Sequence, residues 1–243
     1  MILQNGDCLS EMKKIKSESI DLILTDPPYN LGLFMSKRQT NLKKMRDNFF
    51  GSAGWDDLDT EEWTEMMEHF FEESKRVLKI GGTLLIFMSV IKVETIIKIA
   101  AKYGFYYKTT GIWHKTNPMP RNMNLHFVNS NECWIYFIKD KKTGVFNNVG
   151  LELDYIESSV TPKAEKRHGA HPTQKPVFIM KHFIELLTNE GGTVLDPFMG
   201  SGTTAVASVL THRKFIGIEL SEEYYEVSKK RVEEVYEKTL FGS

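Results

Sequence analysis

The chain of 243 residues predicts a doubly wound α/β fold on a mostly parallel sheet. Strand-length apolar runs alternate with helix-length amphipathic segments, the pattern of repeated β-α-β units. The run Ile20-Asp21-Leu22-Ile23-Leu24 has the character of a strand covered on both faces. A glycine-rich turn after Thr193-Val194-Leu195 leads into a helical segment, which places a loop at the carboxyl end of a second such strand.

The elements follow in order. After the Ile20–Leu24 strand, residues 30–55 are polar and basic, carry Gly32, Gly51 and Gly54, and show no period; they read as a long, mobile, functional loop. Thr60 to Val77 reads as a helix with Thr60 as N-cap, acids in its first turns and Lys75 and Arg76 near its end. Its stripe of Trp63, Met66, Met67, Phe70 and Phe71 has helical spacing and is expected in the core. Gly81-Gly82 is expected to end that unit before a strand at Thr83–Phe87. Val93 to Tyr103 is a helix, and Tyr106–Trp113 and Cys133–Ile138 are strands, with a Pro/Asn-rich loop after the first. Residues 140–170 fit a small insertion. A helix then runs from Pro176 or Val177 to Leu187, followed by the strand Thr193–Leu195, a helix Thr203–Leu210, a strand Lys214–Glu219, and a last helix capped by Ser221 and reaching about Lys238.

Composition bounds the function. Hydrophobic residues make up 41% of the chain, enough for one sizeable core, so residues 1–243 read as a single domain. No apolar run approaches a membrane span, and the first residues lack a signal peptide's basic-then-apolar pattern, so a cytoplasmic location is expected. Cys8 and Cys133 have no metal-ligand spacing, nor do the histidines; no metal is expected. The net charge of −1 hides an uneven distribution. Lys37, Arg38, Lys43, Lys44 and Arg46 face only Asp47 within residues 31–50, whereas residues 56–73 hold nine acids and no Lys or Arg. Charge alone favours a solvated loop beside a solvated helix over a hidden basic face.

Two loops carry chemistry. Gly200-Ser201-Gly202-Thr203-Thr204-Ala205 has the G-x-G-x-x-A spacing of a nucleotide-binding turn, and Glu219 ends the next strand, where an acid can accept from ribose hydroxyls. A nicotinamide cofactor uses the same physics, but Asp196 at the loop entrance disfavours a pyrophosphate. Asp26-Pro27-Pro28-Tyr29 is more specific. A carboxylate and a main-chain carbonyl can accept both N–H bonds of a planar exocyclic amine, proline fixes the turn that aims them, and the ring offers a stacking face. The plain alternative is a turn with Tyr29 in the core. His171-Pro172-Thr173-Gln174-Lys175-Pro176 precedes a helix and could hold a carboxylate or merely bound that helix. Neither cysteine follows a proline, so the Pro-Cys nucleophile of ring-carbon methylation is absent.

Taken together, Asp26-Pro27-Pro28-Tyr29, then His171 to Pro176, then Asp196-Pro197-Phe198-Met199-Gly200-Ser201-Gly202, resemble the β-class DNA amino-methyltransferases, in particular the N6-adenine enzymes of restriction-modification systems and phages. Asn117 to Asn122 also looks like a segment of some members with short, asymmetric, purine-rich sites. The resemblance covers nearly the whole chain, and the order of motifs, catalytic before cofactor, marks the circularly permuted β class. It implies a seven-stranded sheet, S-adenosylmethionine as cofactor and S-adenosylhomocysteine as product. Asp26, Pro27, Pro28 and Tyr29 would be catalytic. Phe198 would lie against the cofactor's adenine with Asp7 and Cys8 nearby, and Glu219 would hold its ribose. Gly200, Ser201, Gly202 and Thr203 would pass under its methionine part, with Asp26, Asp196, His171, Thr173 and Lys175 around it and Lys175 and Thr173 near its carboxylate. Lys37, Arg38, Lys43, Lys44, Arg46, Lys115 and Arg121 would contact DNA, with residues 114–170 as a short target-recognition region. A homodimer and a cognate restriction endonuclease are partners such enzymes can have. N4-cytosine methylation by the same geometry stays open, as do, in other classes, a nicotinamide-dependent dehydrogenase and a non-catalytic DNA-binding module.

Overall fold

The computed structural model describes residues 1–30, 60–119, 127–148, 150–169, 171 and 173–241. Among these residues eight strands form one sheet: β1 (Ile2–Asn5), β2 (Ile20–Thr25), β3 (Leu78–Met88), β4 (Phe105–Lys115), β5 (Asn131–Lys139), β6 (Tyr155–Ser158), β7 (Thr193–Asp196) and β8 (Lys214–Glu219). Their spatial order is β1-β8-β7-β2-β3-β5-β4-β6. Every neighbouring pair is parallel except the two made by β5, with β3 and with β4. The sheet has eight strands rather than the expected seven.

Among the described residues six α-helices cover it: α1 (Cys8–Met12), α2 (Thr60–Val77), α3 (Val93–Lys102), α4 (Val177–Leu187), α5 (Thr203–Leu210) and α6 (Glu222–Phe241). Side chains of a strand point to alternate faces, and the core divides accordingly. Ile23, Leu84, Ile86, Ile135 and Phe137 pack with Trp63, Met67, Phe70 and Phe71 of α2 and Ile96 and Ile99 of α3. Leu22, Leu24, Leu85, Phe87 and Tyr136 pack on the other side with Phe183 and Ile184 of α4, Val206 of α5 and Val232 of α6. The α2 stripe therefore lies in the core as expected: Trp63, Met67, Phe70 and Phe71 are fully buried.

Three expectations are corrected. Gly81-Gly82 does not end a unit. β3 runs through both glycines, and the register with β2 slips between Ile20 and Leu22 to absorb them. Thr60 is the first helical residue of α2, not a residue preceding it. Residues 140–170, expected as a small insertion with no strand, add one to the main sheet. β6 extends the main sheet beside β4, where Trp113 Nε1 donates to Ser158 Oγ at 2.9 Å. Asn147 Nδ2 donates to the carbonyls of Glu185 and Thr188 and so satisfies the end of α4.

The topology sets out the loops. The carboxyl ends of β1, β8, β7, β2 and β3 lie side by side along one sheet edge. Because β5 is antiparallel, its beginning comes to the same edge, with Cys133 opposite Met88. The end of β4 follows, with Trp113 opposite Glu132.

Candidate active site

The two motif loops leave adjacent parallel strands, β2 and β7, and are tied together. Thr25 Oγ1 donates to Asp196 Oδ1 at 2.7 Å, Thr204 Oγ1 to Asp196 Oδ2 at 2.6 Å, and the Phe198 N–H to Asp196 Oδ1 at 3.2 Å. Burial pushes the Asp196 carboxyl up to about 6. Both oxygens are engaged inside the protein and the side chain is buried, so Asp196 fastens the framework between the loops. The chain distance between the motifs disappears because β2 and β7 pair.

Asp26 sits at the end of β2 on the turn that Pro27 and Pro28 stiffen. Tyr29 Oη donates to Asp26 Oδ1 at 2.6 Å. Trp63 Nε1, from α2, donates to the Pro28 carbonyl at 2.8 Å and holds the turn against the core. The Pro27 carbonyl, an acceptor, stands next to Asp26 on the same turn. Tyr29 is half-buried: it packs against the α2-side core and still reaches Asp26. Burial raises the Asp26 carboxyl above the ordinary range; Lys175 opposes that shift and Glu132 adds to it. Burial and the neighbouring Asp26 carboxylate keep the Tyr29 hydroxyl protonated.

Lys175 is placed differently from expectation. Its ammonium is hydrogen-bonded to Asp26 Oδ2 and lies 3.0 Å from Glu132 Oε2; its side chain is only 3% exposed. Two carboxylates already match its charge, so a third from a cofactor is not what this position calls for. Burial disfavours the Lys175 ammonium, but the two carboxylates outweigh it and hold the group charged. Glu132 is the residue that sequence reasoning missed. It is the second residue of β5, and its other oxygen accepts from Lys115. Burial raises its carboxyl, yet Lys175 and Lys115 together bring it below the ordinary range. The available signal was one acid standing directly before the buried run Cys133–Ile138. Lys115, expected to contact DNA, is instead committed to Glu132.

The glycine loop is built by two left-handed residues, Gly200 (φ +55°) and Gly202 (φ +78°). A Cβ on Gly202 would lie 2.7 Å from Ser228 Cβ on α6, so that position has no room for a side chain. Arg231, also on α6 and also missed, donates to the Ser201 carbonyl at 2.6 Å, to Ser201 Oγ and to Thr203 Oγ1. Its signal was an arginine on the same helix face as Ser228 and Val232. Gln174 accepts from Ser201 Oγ at 3.1 Å. Glu219 ends β8, as expected; Oε2 accepts from the Gly200 N–H at 2.7 Å and Oε1 from the Ser221 N–H at 2.8 Å. Burial raises its carboxyl above the ordinary range.

The remaining expected residues fall around this edge. Phe198 is half-buried against Phe70, with ring centroids 5.7 Å apart. Asp7 caps α1 by accepting from the Ser10 N–H at 2.9 Å. Cys8 is buried behind it, and burial, with Asp7 adding to it, pushes its thiol up to about 12, so it is inert. His171 stacks edge-on against Tyr224 at 4.4 Å and would meet any side chain on Gly200 at 3.3 Å. Burial, with Lys175, holds its imidazole down at about 4, so it is neutral. Thr173 is exposed, and its N–H donates to His171 Nδ1. Lys37, Arg38, Lys43, Lys44, Arg46 and Arg121, and the expected loop 30–55 beyond Asn30, lie outside the described residues.

Comparison with known proteins agrees with this arrangement. Residues 20–230 match the family model of N6 and N4 DNA methylases. The chain is 35% identical over 244 residues to the Type II methyltransferase M2.DpnII of Streptococcus pneumoniae, covering 96% of this chain and 90% of the relative. The solved complex of M1.HpyAVI with S-adenosylmethionine aligns with a TM-score of 0.70 at 30% identity, covering 95% of this chain and 98% of the other. The cytosine-N4-specific PvuII DNA methyltransferase aligns with a TM-score of 0.75 at 19% identity, covering 99% and 93%, which shows a common fold. An Asp-Pro-Pro-Tyr turn tied to a left-handed glycine loop, together with a family match over most of the chain, makes this protein a member of the N6/N4 DNA methylase family, a site-specific DNA methyltransferase that uses S-adenosylmethionine.

Proposed function

We propose that the chain methylates the exocyclic N6 amine of adenine within a short DNA sequence. The observation that carries this reading is the pairing of two acceptors, the Asp26 carboxylate and the Pro27 carbonyl, beside a half-buried Tyr29 ring and next to the glycine loop. A carboxylate has about four lone-pair sites. Asp26 can therefore keep Tyr29 and Lys175 and still accept from an amine. The amine of a paired base is occupied, so the base must leave the stack to reach this turn. Tyr29 then offers the flipped base its ring, and Asp26 with the Pro27 carbonyl takes its two N–H bonds.

The residues present fit S-adenosylmethionine. Gly200 and Gly202 form a backbone path closed to side chains, Phe198 presents a partly exposed ring, and Glu219 retains acceptor capacity beside them. The cofactor supplies a methyl group already activated on a sulfonium. The protein's part is chiefly positioning. Asp26 orients the amine and need not remove a proton before attack. His171 and Thr173 lie beside the loop where the methionine part would run, whereas Lys175 acts on Asp26. Asp7 and Cys8 would border the cofactor's adenine.

Lys37, Arg38, Lys43, Lys44 and Arg46, with Arg121, are assigned to DNA phosphates and base edges, and residues 114–170 to target recognition. The relatives named Type II methyltransferases fit a restriction-modification setting in a bacterial cytoplasm, with a restriction endonuclease as partner and a homodimer as the working form. The second reading, N4-cytosine methylation, uses the same turn; an Asp rather than a Ser before Pro-Pro-Tyr favours adenine. Expression in a bacterial host lacking its own DNA methylation, followed by digestion of its DNA to nucleosides, separates the two. N6-methyladenine is expected, and N4-methylcytosine in its place would assign the chain to the second reading.

A further inference from the structure

A chain of alternating charges runs from the catalytic turn to the far side of the sheet edge. Asp26 Oδ2 meets the Lys175 ammonium, Lys175 lies 3.0 Å from Glu132 Oε2, and Glu132 Oε1 meets the Lys115 ammonium. The four residues come from four elements. Asp26 follows β2, Lys175 precedes α4, Glu132 lies near the start of β5 and Lys115 ends β4. Their meeting depends on β5 running antiparallel, which brings its start beside the loop after β2. Lys175 is 3% exposed, Asp26 19%, Glu132 20% and Lys115 18%. Its ammonium also lies 5.1 Å from the Phe87 ring centroid, on an apolar floor where water cannot screen it.

We propose that Glu132 is a positioning residue for methyl transfer: braced by Lys115, it shares the Lys175 ammonium with Asp26, so that the carboxylate which Lys175 holds ionised is not saturated and stays free to accept from the target amine. A buried lysine facing one carboxylate alone would close on it as a tight pair. A second carboxylate on the opposite side draws the cation partly away. Lys115 then balances the count, two cations against two anions, so the cluster stays charged at low cost. The groups facing Asp26 are Tyr29 on its own turn, Lys175 before α4, Glu132 on β5 and Asp196 after β7, while Cys133 stands next to Glu132. The two neighbours Lys175 and Glu132 act on the Asp26 carboxyl in opposite directions.

That opposition supplies the test, which rests on the reading of Asp26 as the amine acceptor. Single-turnover transfer of tritiated methyl groups to DNA is measured across pH for the wild type, Glu132→Gln and Lys175→Met. Counting total label makes the result independent of which base is modified. Loss of activity on the acid side reports protonation of Asp26. Lys175→Met removes a cation, so the acid limb should move to higher pH. Glu132→Gln removes an anion, so it should move to lower pH, each by roughly one unit. The plateau rate of Glu132→Gln should fall roughly tenfold or more, with the cofactor Kd within about threefold of wild type. Glu132→Asp, which restores the charge, should return the limb to its wild-type position. Lys115→Met, altering the end of the cluster farthest from Asp26 and less buried than Lys175, should raise the limb by less than Lys175→Met does, and it serves if the Lys175 variant fails to fold. Limbs that stay in place, or that move the same way in Glu132→Gln and Lys175→Met, would overturn the positioning role. Retained activity in Asp26→Ala would instead overturn the reading of Asp26 itself.

Discussion

At the level of single residues, the site is a set of buried polar groups whose charge states are chosen by their surroundings. Asp196 and His171 show this in opposite senses. Asp196 is pushed up to about 6 by burial, so between about 4 and 6 the folded protein binds a proton that the unfolded chain releases. Its protonation therefore favours the fold as pH falls. His171 is held at about 4, below its ordinary 6.5, so the unfolded chain takes up the proton first. Its contribution is intact above pH 6.5 and is lost as pH falls toward 4. His171→Gln should lose less stability than the wild type over that window, a slope difference of roughly one proton, read from urea midpoints against pH. An unchanged slope would mean that His171 is solvated. Asp26 and Tyr29 were legible in the sequence because a turn three residues long brings them together. Glu132 was not, and Lys175, though singled out, was given the wrong partner, because nothing local links the two to each other or to Asp26; their contact exists only once the strand order is known.

At the level of elements, legibility followed periodicity. The bounds of α2, α5 and β8 agree with the sequence reading, since each carries several apolar positions at one period. β1 and α1 were missed: β1 has four residues with no buried side chain, and α1 is little more than one turn. β6 was missed for a similar reason, as an edge strand of four residues that buries little. The glycine loop shows how an element edge becomes a binding surface. Gly202 has the left-handed conformation that a side chain disfavours by about 1–2 kcal/mol, and Ser228 of α6 closes the space. Gly202→Ala should therefore destabilise the fold by about 1–3 kcal/mol and weaken S-adenosylmethionine binding by roughly tenfold or more. Isothermal titration and denaturant unfolding measure the two effects separately. Full cofactor affinity in the folded variant would remove the loop from the cofactor site.

For the whole molecule, a net charge of −1 must be reconciled with a polyanionic substrate. The sequence resolves it by segregating charge, with five cations in residues 31–50 and nine acids in 56–73. Replacing Lys43, Lys44 and Arg46 together should weaken DNA binding and lower the slope of log K against log salt by roughly two to three, one unit per lost phosphate contact. An unchanged slope would place the DNA-binding face elsewhere. The sheet brings five strand ends to one edge, so the cofactor loop, the acceptor turn and the charged cluster that braces it are neighbours in space though spread along the chain. The central claim is that this edge methylates a DNA base through Asp26. The most direct measurement incubates purified wild type and Asp26→Ala with tritiated S-adenosylmethionine and unmethylated DNA, then identifies the labelled nucleoside. Label in N6-methyladenine for the wild type, with none in Asp26→Ala while its cofactor binding persists, is the expected result. Equal labelling by the two proteins, or label in no nucleoside from a wild type that binds the cofactor, would contradict it.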